Sequence, residues 1–194
     1  QSREFARALA VLEIVESALT AETLTDAKVV ILANCGGLTP QQFGWLRDFV
    51  RSGGGLIIFP GDKVNLDHYN QQFFPVPGQP DQFLTAAQLT APEGDPAKAE
   101  SIERFAALDF AHPVLSVFDD SKARYLTQVS FSRRFGIKLP EKRASAWPLA
   151  EFSSGGPALV ESTFGDGRML LAAFPATTRW SNLPLKPEFV PLVL

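Results

Sequence analysis

The sequence has very few of the residues that form disulfides or bind metals. It contains one cysteine, two histidines and one methionine among 194 residues. A single cysteine excludes an internal disulfide, and these residues are too few for a Cys/His zinc cluster within the chain. No apolar run approaches the 18–20 residues, roughly, that span a bilayer, and no signal peptide is visible. The only methionine is Met169, so we expect the chain to be one part of a longer protein.

Phosphate-binding signatures are also absent. The glycine groups Gly53–Gly55 and Gly155-Gly156 match neither GxxxxGK[ST] nor a GxGxxG that opens a helix. We therefore predict no nucleotide or metal cofactor. The net charge is −3, and residues 119–143 hold seven Lys/Arg against three Asp/Glu. This basic stretch is dispersed in a chain of pI about 5.4. We interpret it as a solvated surface and predict no nucleic-acid partner.

The residues that are present describe one folded domain, residues 1–194, with 45% hydrophobic and 20% charged residues. Its clearest unit is a strand, a helix and a second strand. The apolar run Lys28–Asn34 is typical of a strand covered on both faces. Thr39 and Gln42 have capping-box spacing, and Gly53 supplies a left-handed helix end. Gly55–Pro60 is the second buried strand, so two parallel strands with a right-handed crossover are predicted.

A glycine-rich turn near the end of the sequence predicts an antiparallel hairpin. Gly165-Asp166-Gly167 joins the apolar runs Ala158–Phe164 and Arg168–Phe174. The chain is therefore predicted to be an α/β three-layer sandwich, with a mainly parallel sheet and an antiparallel hairpin near one edge. The remaining elements are weaker predictions. They are a helix over residues 2–10, a strand or helix extension over 11–16, a loop over 75–96, a short helix near Ala97–Phe105, a short helix from His112-Pro113 to Phe118, and a strand Arg124–Phe131.

Cys35 is the strongest candidate for a catalytic residue. It directly follows a buried strand. The small residues Ala33 and Gly37 flank it at two positions on either side, which partly matches the pattern of a nucleophile elbow. A thiolate at this position would need a nearby histidine or helix-end amides to activate it. The alternative is that Cys35 is a small core residue at the end of a strand.

Two further groups of polar residues are candidates. Asp62 follows the second parallel strand, where ligands bind in open parallel sheets, and Asp67 and His68 lie just downstream. These side chains would bind a sugar hydroxyl or a cation, or Asp62 would simply cap the turn. Asp109 and His112 form the other group, in which a carboxylate would orient a general base. The alternative there is a local helix cap.

Three stretches of the sequence resemble a known bacterial family. They are VVILANCGGLTPQQFGWLRDFVRSGGGLIIFPGD, DFAHPVL and GGPALVESTFGDGRMLLAAFPATTRWSNLPLKPEFVPL. The chain, from about Leu24 to Val193, resembles the glutamine amidotransferase-like domain of membrane proteins similar to the Bat aerotolerance proteins. Such proteins carry transmembrane helices and often a von Willebrand A domain. The resemblance implies a class I glutamine amidotransferase-like, flavodoxin-like sheet.

The resemblance also implies where a nucleophile would stand. Active class I amidotransferases carry a cysteine in a G-x-C-x-G elbow and a later H-x-E pair. By strand order the elbow corresponds to the turn Gly61-Asp62-Lys63, which holds no cysteine or serine. Neither His68 nor His112 is followed by the required glutamate. These departures disfavour glutaminase activity.

Three functional hypotheses follow. The leading one is a non-catalytic amidotransferase-like module of a larger, membrane-anchored bacterial protein. It would serve interaction with other domains or subunits, or sensing of a small polar ligand at the strand ends. The second is a cysteine-dependent hydrolase or amidotransferase that uses Cys35 and His112. The third is a sugar-binding or sugar-processing domain resembling trehalose-utilisation proteins, with Asp62 and His68 in one pocket. The sequence does not specify a compartment.

Overall fold

The computed structural model describes residues 10–74, 85, 87–118, 123–139, 146–187 and 189. The predicted helix over residues 2–10 therefore lies outside the described residues, apart from its last position. The α-helices of the described part are α1 (Ala21–Leu24), α2 (Pro40–Arg51), α3 (Leu66–Phe73), α4 (Pro113–Ser116) and α5 (Ala123–Leu126). Its strands are β1 (Val29–Ala33), β2 (Gly55–Phe59), β3 (Gln88–Glu93), β4 (Phe105–Leu108), β5 (Arg134–Lys138), β6 (Ala146–Phe152), β7 (Pro157–Phe164) and β8 (Gly167–Ala172).

Six of these strands form one mixed sheet in the order β1-β2-β8-β7-β6-β4. The neighbours β1–β2 and β2–β8 are parallel, and the remaining neighbours are antiparallel. Four of the six strands consequently run in one direction. Strands β3 and β5 pair antiparallel as a separate two-stranded sheet. This arrangement confirms the predicted α/β class with a mainly parallel sheet.

The strand–helix–strand unit forms as the sequence predicts. The Thr39 hydroxyl accepts a hydrogen bond from the Gln42 N–H, and the Gln42 side chain accepts one from the Thr39 N–H, which completes a capping box. Gly53 ends α2 with φ +102°. β1 differs from the prediction of a strand covered on both faces, because it is the edge of the sheet and Val29 and Ile31 are exposed.

The glycine-linked hairpin is present, but its position in the sheet differs from the prediction. β7 and β8 pair antiparallel up to Phe164 and Gly167, and the turn residue Gly165 has φ +60°. Because β8 also pairs with β2 and β7 also pairs with β6, the hairpin lies at the centre of the sheet. The edge position was wrong because β6 and β4 were not predicted. β6 contains Pro148 and irregular pairing, which hides the alternation that marks a strand.

Several weaker predictions were wrong. The stretch predicted as a strand over Arg124–Phe131 contains α5 instead, and Phe131 makes only isolated bridges. Near Ala97–Phe105 the chain forms one 3-10 turn, Ala99–Ser101, before β4 begins. The apolar stretch over residues 11–16 is neither strand nor α-helix. The His112-Pro113 helix is confirmed as α4, with His112 as its N-cap.

A cluster of aromatic rings in the core joins side chains of β4 and β6 with side chains of the loops beside the sheet. The Phe131 ring lies 4.8 Å from that of Phe105, 5.2 Å from that of Phe152 and 4.8 Å from that of Phe174. All four rings are buried. Trp180 packs against Phe135, so the indole anchors its loop on the core.

Candidate functional site

A polar cluster occupies the carboxyl ends of β1 and β2. Asn34 has φ +56°, and its Nδ2 donates to Asp62 Oδ1 at 2.7 Å while its Oδ1 accepts from the Lys63 N–H at 3.0 Å. Arg179 Nη1 lies 2.6 Å from Asp62 Oδ2. A Cβ at Gly61 would collide with the Asn34 side chain, so the turn requires glycine there. The Asn34 hydrogen bond, helped by the Arg179 charge, lowers the pKa of Asp62 and keeps it ionised.

Glu16 joins the preceding segment to the turn after β1. Its Oε1 accepts from the Gly36 N–H at 3.0 Å, and its Oε2 accepts from the Gly37 N–H at 2.9 Å. Gln42 of α2 donates to the Glu16 and Leu19 carbonyl oxygens, at 2.7 and 3.2 Å. These four hydrogen bonds hold residues 16–19 over the turn, and they place a carboxylate beside Cys35.

The Cys35 thiol is half-buried and stays protonated near neutral pH. Burial raises its pKa, and the negative charge of Glu16 raises it further, against a smaller opposing effect of Lys63. His68 lines the same small cavity as Cys35, which measures about 20 Å³ and has room for one water molecule. The His68 ring Nε2 lies 3.2 Å from the Leu38 carbonyl oxygen. A thiol in this setting is a poor nucleophile.

His112 is paired with Glu161 and not with Asp109. Its Nδ1 accepts from the Val114 N–H, so Nε2 carries the proton and donates to Glu161 Oε2 at 3.2 Å. Glu161 is buried in β7, and Arg168 Nη1 contacts both of its oxygens at 3.2–3.3 Å. Asp109 accepts from the Ala111 N–H within its own turn. The predicted cap at His112 is therefore present, while the orienting carboxylate comes from a different strand.

The structure does not bring the predicted catalytic pair together. His112 packs on Glu161 of β7, and three strand spacings separate β7 from β1, which is roughly 14 Å in a sheet. Cys35 follows β1, so no contact joins it to His112 among the described residues. Asp62 does not line the cavity that holds His68, and Asp67 is exposed on the first turn of α3. The arrangement required by the sugar-binding hypothesis is thus not assembled.

Five residues of these clusters were missed by sequence reasoning. They are Glu16, Asn34, Glu161, Arg168 and Arg179. Asn34 had a readable signal, since asparagine readily adopts positive φ directly after a strand. Glu161 also stands out, because it is a charged residue inside the apolar run of a central strand. Glu16 and Arg179 had no such signal, because each reaches its partner from a distant part of the sequence.

Two arginines of the basic stretch over residues 119–143 make contacts within the domain. Arg134 is buried, and its guanidinium lies 4.9 Å from the centre of the Phe152 ring, 3.1 Å from Glu93 and 3.5 Å from Glu103. The Arg133 guanidinium stacks 5.1 Å from the Trp180 ring. Neither side chain is arranged as part of an open cationic surface.

Glu103 organises the turn between β6 and β7. Its carboxylate accepts from the Ser153 hydroxyl at 2.9 Å, from the Ser154 N–H at 3.0 Å and from the Ser154 hydroxyl. Burial raises the pKa of Glu103, but the Ser154 and Ser153 hydrogen bonds and the Arg134 charge outweigh it. The pKa therefore lies below its ordinary value of 4.5.

We expect this cluster to make stability depend on pH in the acidic range. Since the folded-state pKa of Glu103 is lowered, its contribution is complete above about pH 4.5 and is lost as the pH falls through the folded-state value. The urea midpoint of the wild type should exceed that of Glu103→Gln at pH 7, and the gap should narrow at pH 3. A difference in urea midpoint that stays constant from pH 7 to pH 3 would contradict the lowered pKa of Glu103.

None of the described helices is long and apolar enough to cross a membrane. Among the same residues, no group of three or more His, Cys, Asp or Glu side chains is placed to hold a metal ion.

Comparison with known proteins shows a fold class and no family. No protein-family model matches the sequence, and no curated protein matches it. Similar structures include the cytoplasmic protein STM3548 of Salmonella typhimurium, with 13% identity, a TM-score of 0.64, and 90% of this chain and 72% of that chain covered. The cytoplasmic protein STM1381 of Salmonella typhimurium LT2 has 16% identity, a TM-score of 0.61 and the same coverage. The N-terminal domain of mmIFT52 has 13% identity and a TM-score of 0.54, and 90% of this chain and 77% of that chain are covered.

These likenesses, all below 20% identity, define the chain as a mixed α/β domain. These similarities do not assign an activity to this chain, because one fold hosts many unrelated functions.

Proposed function

We propose that this chain is a non-catalytic α/β binding module with a class I glutamine amidotransferase-like scaffold. It serves interaction with other domains or subunits of a larger, membrane-associated bacterial protein. The observation that carries the proposal is that no nucleophile and base are assembled among the described residues at the strand ends, where this class of sheet places its chemistry. The turn Gly61-Asp62-Lys63 lacks a nucleophile, and the Cys35 thiol is kept protonated by burial and by Glu16.

The polar groups of the site support binding over catalysis. Asp62 is held by Asn34 and Arg179, and Glu16 is held by two backbone N–H groups. Groups that are already paired this way position a loop well, but they do not take protons from a substrate. A small polar ligand at the strand ends would have to displace the Arg179 or Glu16 contact. Interaction through a surface requires no such displacement.

Two measurements test the proposal: the rate of hydrolysis of small substrates, and the rate at which the Cys35 thiol is alkylated. We expect no steady hydrolysis of glutamine or of a p-nitrophenyl ester above that of the Cys35→Ala variant. We also expect Cys35 to alkylate more slowly at pH 7.5 than a free thiol. Steady turnover that Cys35→Ala abolishes would overturn the proposal in favour of the cysteine-dependent hydrolase.

Glu16 should control the reactivity of the thiol. Replacing Glu16 by glutamine removes the neighbouring negative charge and lowers the pKa of Cys35, so alkylation at pH 7.5 should be faster than in the wild type. Glu22→Gln, an exposed glutamate on α1, is the matched control and should leave the rate unchanged. Equal rates in all three proteins would contradict the role given to Glu16.

A further inference from the structure

The segment that precedes Leu19 is attached to the rest of the domain through one residue. None of residues 10–18 is buried, and Glu16 alone among them is partly buried. The regular structure of these residues is limited to the 3-10 turn Glu16–Ala18. Among the described residues, every hydrogen bond that joins this segment to the rest of the domain ends on Glu16. We refer to residues 10–18 as the strap.

Glu16 is held from two sides. Its carboxylate accepts from the Gly36 and Gly37 N–H groups, and its backbone carbonyl accepts from Gln42 Nε2 at 2.7 Å. A Cβ at Gly37 would stand 2.8 Å from Glu16 Oε2, so glycine lets the carboxylate come this close to the backbone. Gln42 is buried, and its Oε1 accepts from the Thr39 N–H in the capping box of α2. The groups that hold Glu16 therefore belong to the turn after β1 and to the start of α2.

The chain is held much more firmly from Leu19 onward. Leu19 is part of the hydrophobic core, and Thr20 forms the capping box of α1 with Thr23. Segments that bury few side chains and depend on exposed hydrogen bonds open at a small cost in free energy, while the core stays folded. The boundary between the weakly and the firmly held parts of the chain is at Leu19.

We propose that the strap is a lid, which opens about Leu19 when Glu16 leaves the turn after β1. The strap is closed in the structure. Opening releases the Gly36 and Gly37 N–H groups and moves the Glu16 carboxylate away from the Cys35 thiol. The inference goes beyond the proposed binding function, because it concerns a movement of the domain and not the identity of a partner.

The test is hydrogen exchange of the wild-type protein at low urea concentrations. The Gly36 and Gly37 amides should exchange at least a hundredfold faster than the Val160 amide in the buried centre of β7. Low urea should leave these two rates unchanged, because the opening exposes little new surface, whereas it should accelerate exchange at Val160. If the two glycine amides had the urea dependence of Val160, the strap would open only when the whole domain unfolds, and the inference would be overturned.

Gln42→Glu is the variant that loosens the strap. The new carboxylate still accepts from the Thr39 N–H, so the capping box of α2 is retained. The donor to the Glu16 carbonyl is lost, and an oxygen faces that carbonyl in its place. Exchange at the Gly36 and Gly37 amides should become at least tenfold faster than in the wild type.

Two controls separate movement of the strap from other effects. Gln41→Glu adds the same charge at the adjacent, exposed position and should leave the two glycine rates within twofold of the wild type. The Lys63 N–H donates to Asn34 in the same polar cluster and does not contact the strap, so Gln42→Glu should leave its rate unchanged.

Three outcomes of the variant experiment would overturn the inference. They are unchanged glycine rates in Gln42→Glu, equal acceleration by Gln41→Glu, and acceleration at Lys63 equal to that at the two glycines. The last result would mean that the whole turn opens and not the strap. Steady hydrolysis alongside the expected exchange rates would refute only the non-catalytic function.

Discussion

Replacing Phe131 by alanine is expected to lower the free energy of unfolding by about 3–5 kcal/mol. The Phe131 ring is buried and contacts the rings of Phe105, Phe152 and Phe174 within 5.2 Å. Removing it leaves a cavity that three rigid aromatic neighbours cannot fill. Urea unfolding followed by tryptophan fluorescence measures the loss.

Phe110→Ala is the control for this prediction. Phe110 is only partly buried at the rim of the same core, so its replacement should cost clearly less than that of Phe131. If both variants lost the same stability, the four-ring cluster would not be the centre of the core.

Replacing Glu161 by alanine is expected to cost about 1–3 kcal/mol, because a mostly buried hydrogen-bond donor loses its acceptor. The His112 Nε2–H would lose its acceptor in a mostly buried position. Arg168 is largely exposed and can be hydrated, so its loss of a partner adds little. Glu161→Gln keeps an acceptor for His112 and should recover part of the loss. Chemical denaturation of the three proteins at pH 7 gives the comparison.

Asp109→Ala separates this arrangement from the Asp109–His112 pair predicted from the sequence. Asp109 is exposed, and among the described residues its carboxylate accepts only from the Ala111 N–H of its own turn, so its replacement should change stability by about 0.5 kcal/mol. A loss as large as that of Glu161→Ala would restore Asp109 as the partner of His112.

The parts of the fold that could be predicted are those with local signals. The Thr39–Gln42 capping box, the Gly53 helix end and the Gly165 turn each depend on residues that are close in sequence. They were found at the predicted positions. β6 and β4 could not be predicted, because their pairing is interrupted by irregularities and by Pro148. Neighbouring strands were predicted only for β1 with β2 and for β7 with β8, since long-range pairing leaves no periodic pattern.

The candidate site was predictable in its location and not in its contacts. The position of Asp62 after a parallel strand correctly placed it at the carboxyl edge of the sheet. Its partner Arg179 lies 117 positions away in the sequence, so composition alone does not reveal the pair. Cys35 and His112 were linked only because so few other candidates exist. The order of the strands, which separates them, follows from pairings that are not visible in the sequence.

The pairing of β2 with β8 has a consequence for how the chain folds. Gly55 is the register partner of Arg168, so the parallel half of the sheet closes only after a connection of more than a hundred residues has been brought together. Closing such a loop costs entropy before any contact compensates for it, which slows folding. Any fragment that ends before residue 167 lacks β8, and β2 is then left as an open edge. We therefore expect the β7–β8 hairpin to form first and to present β8 to the β1–β2 unit in the slow step.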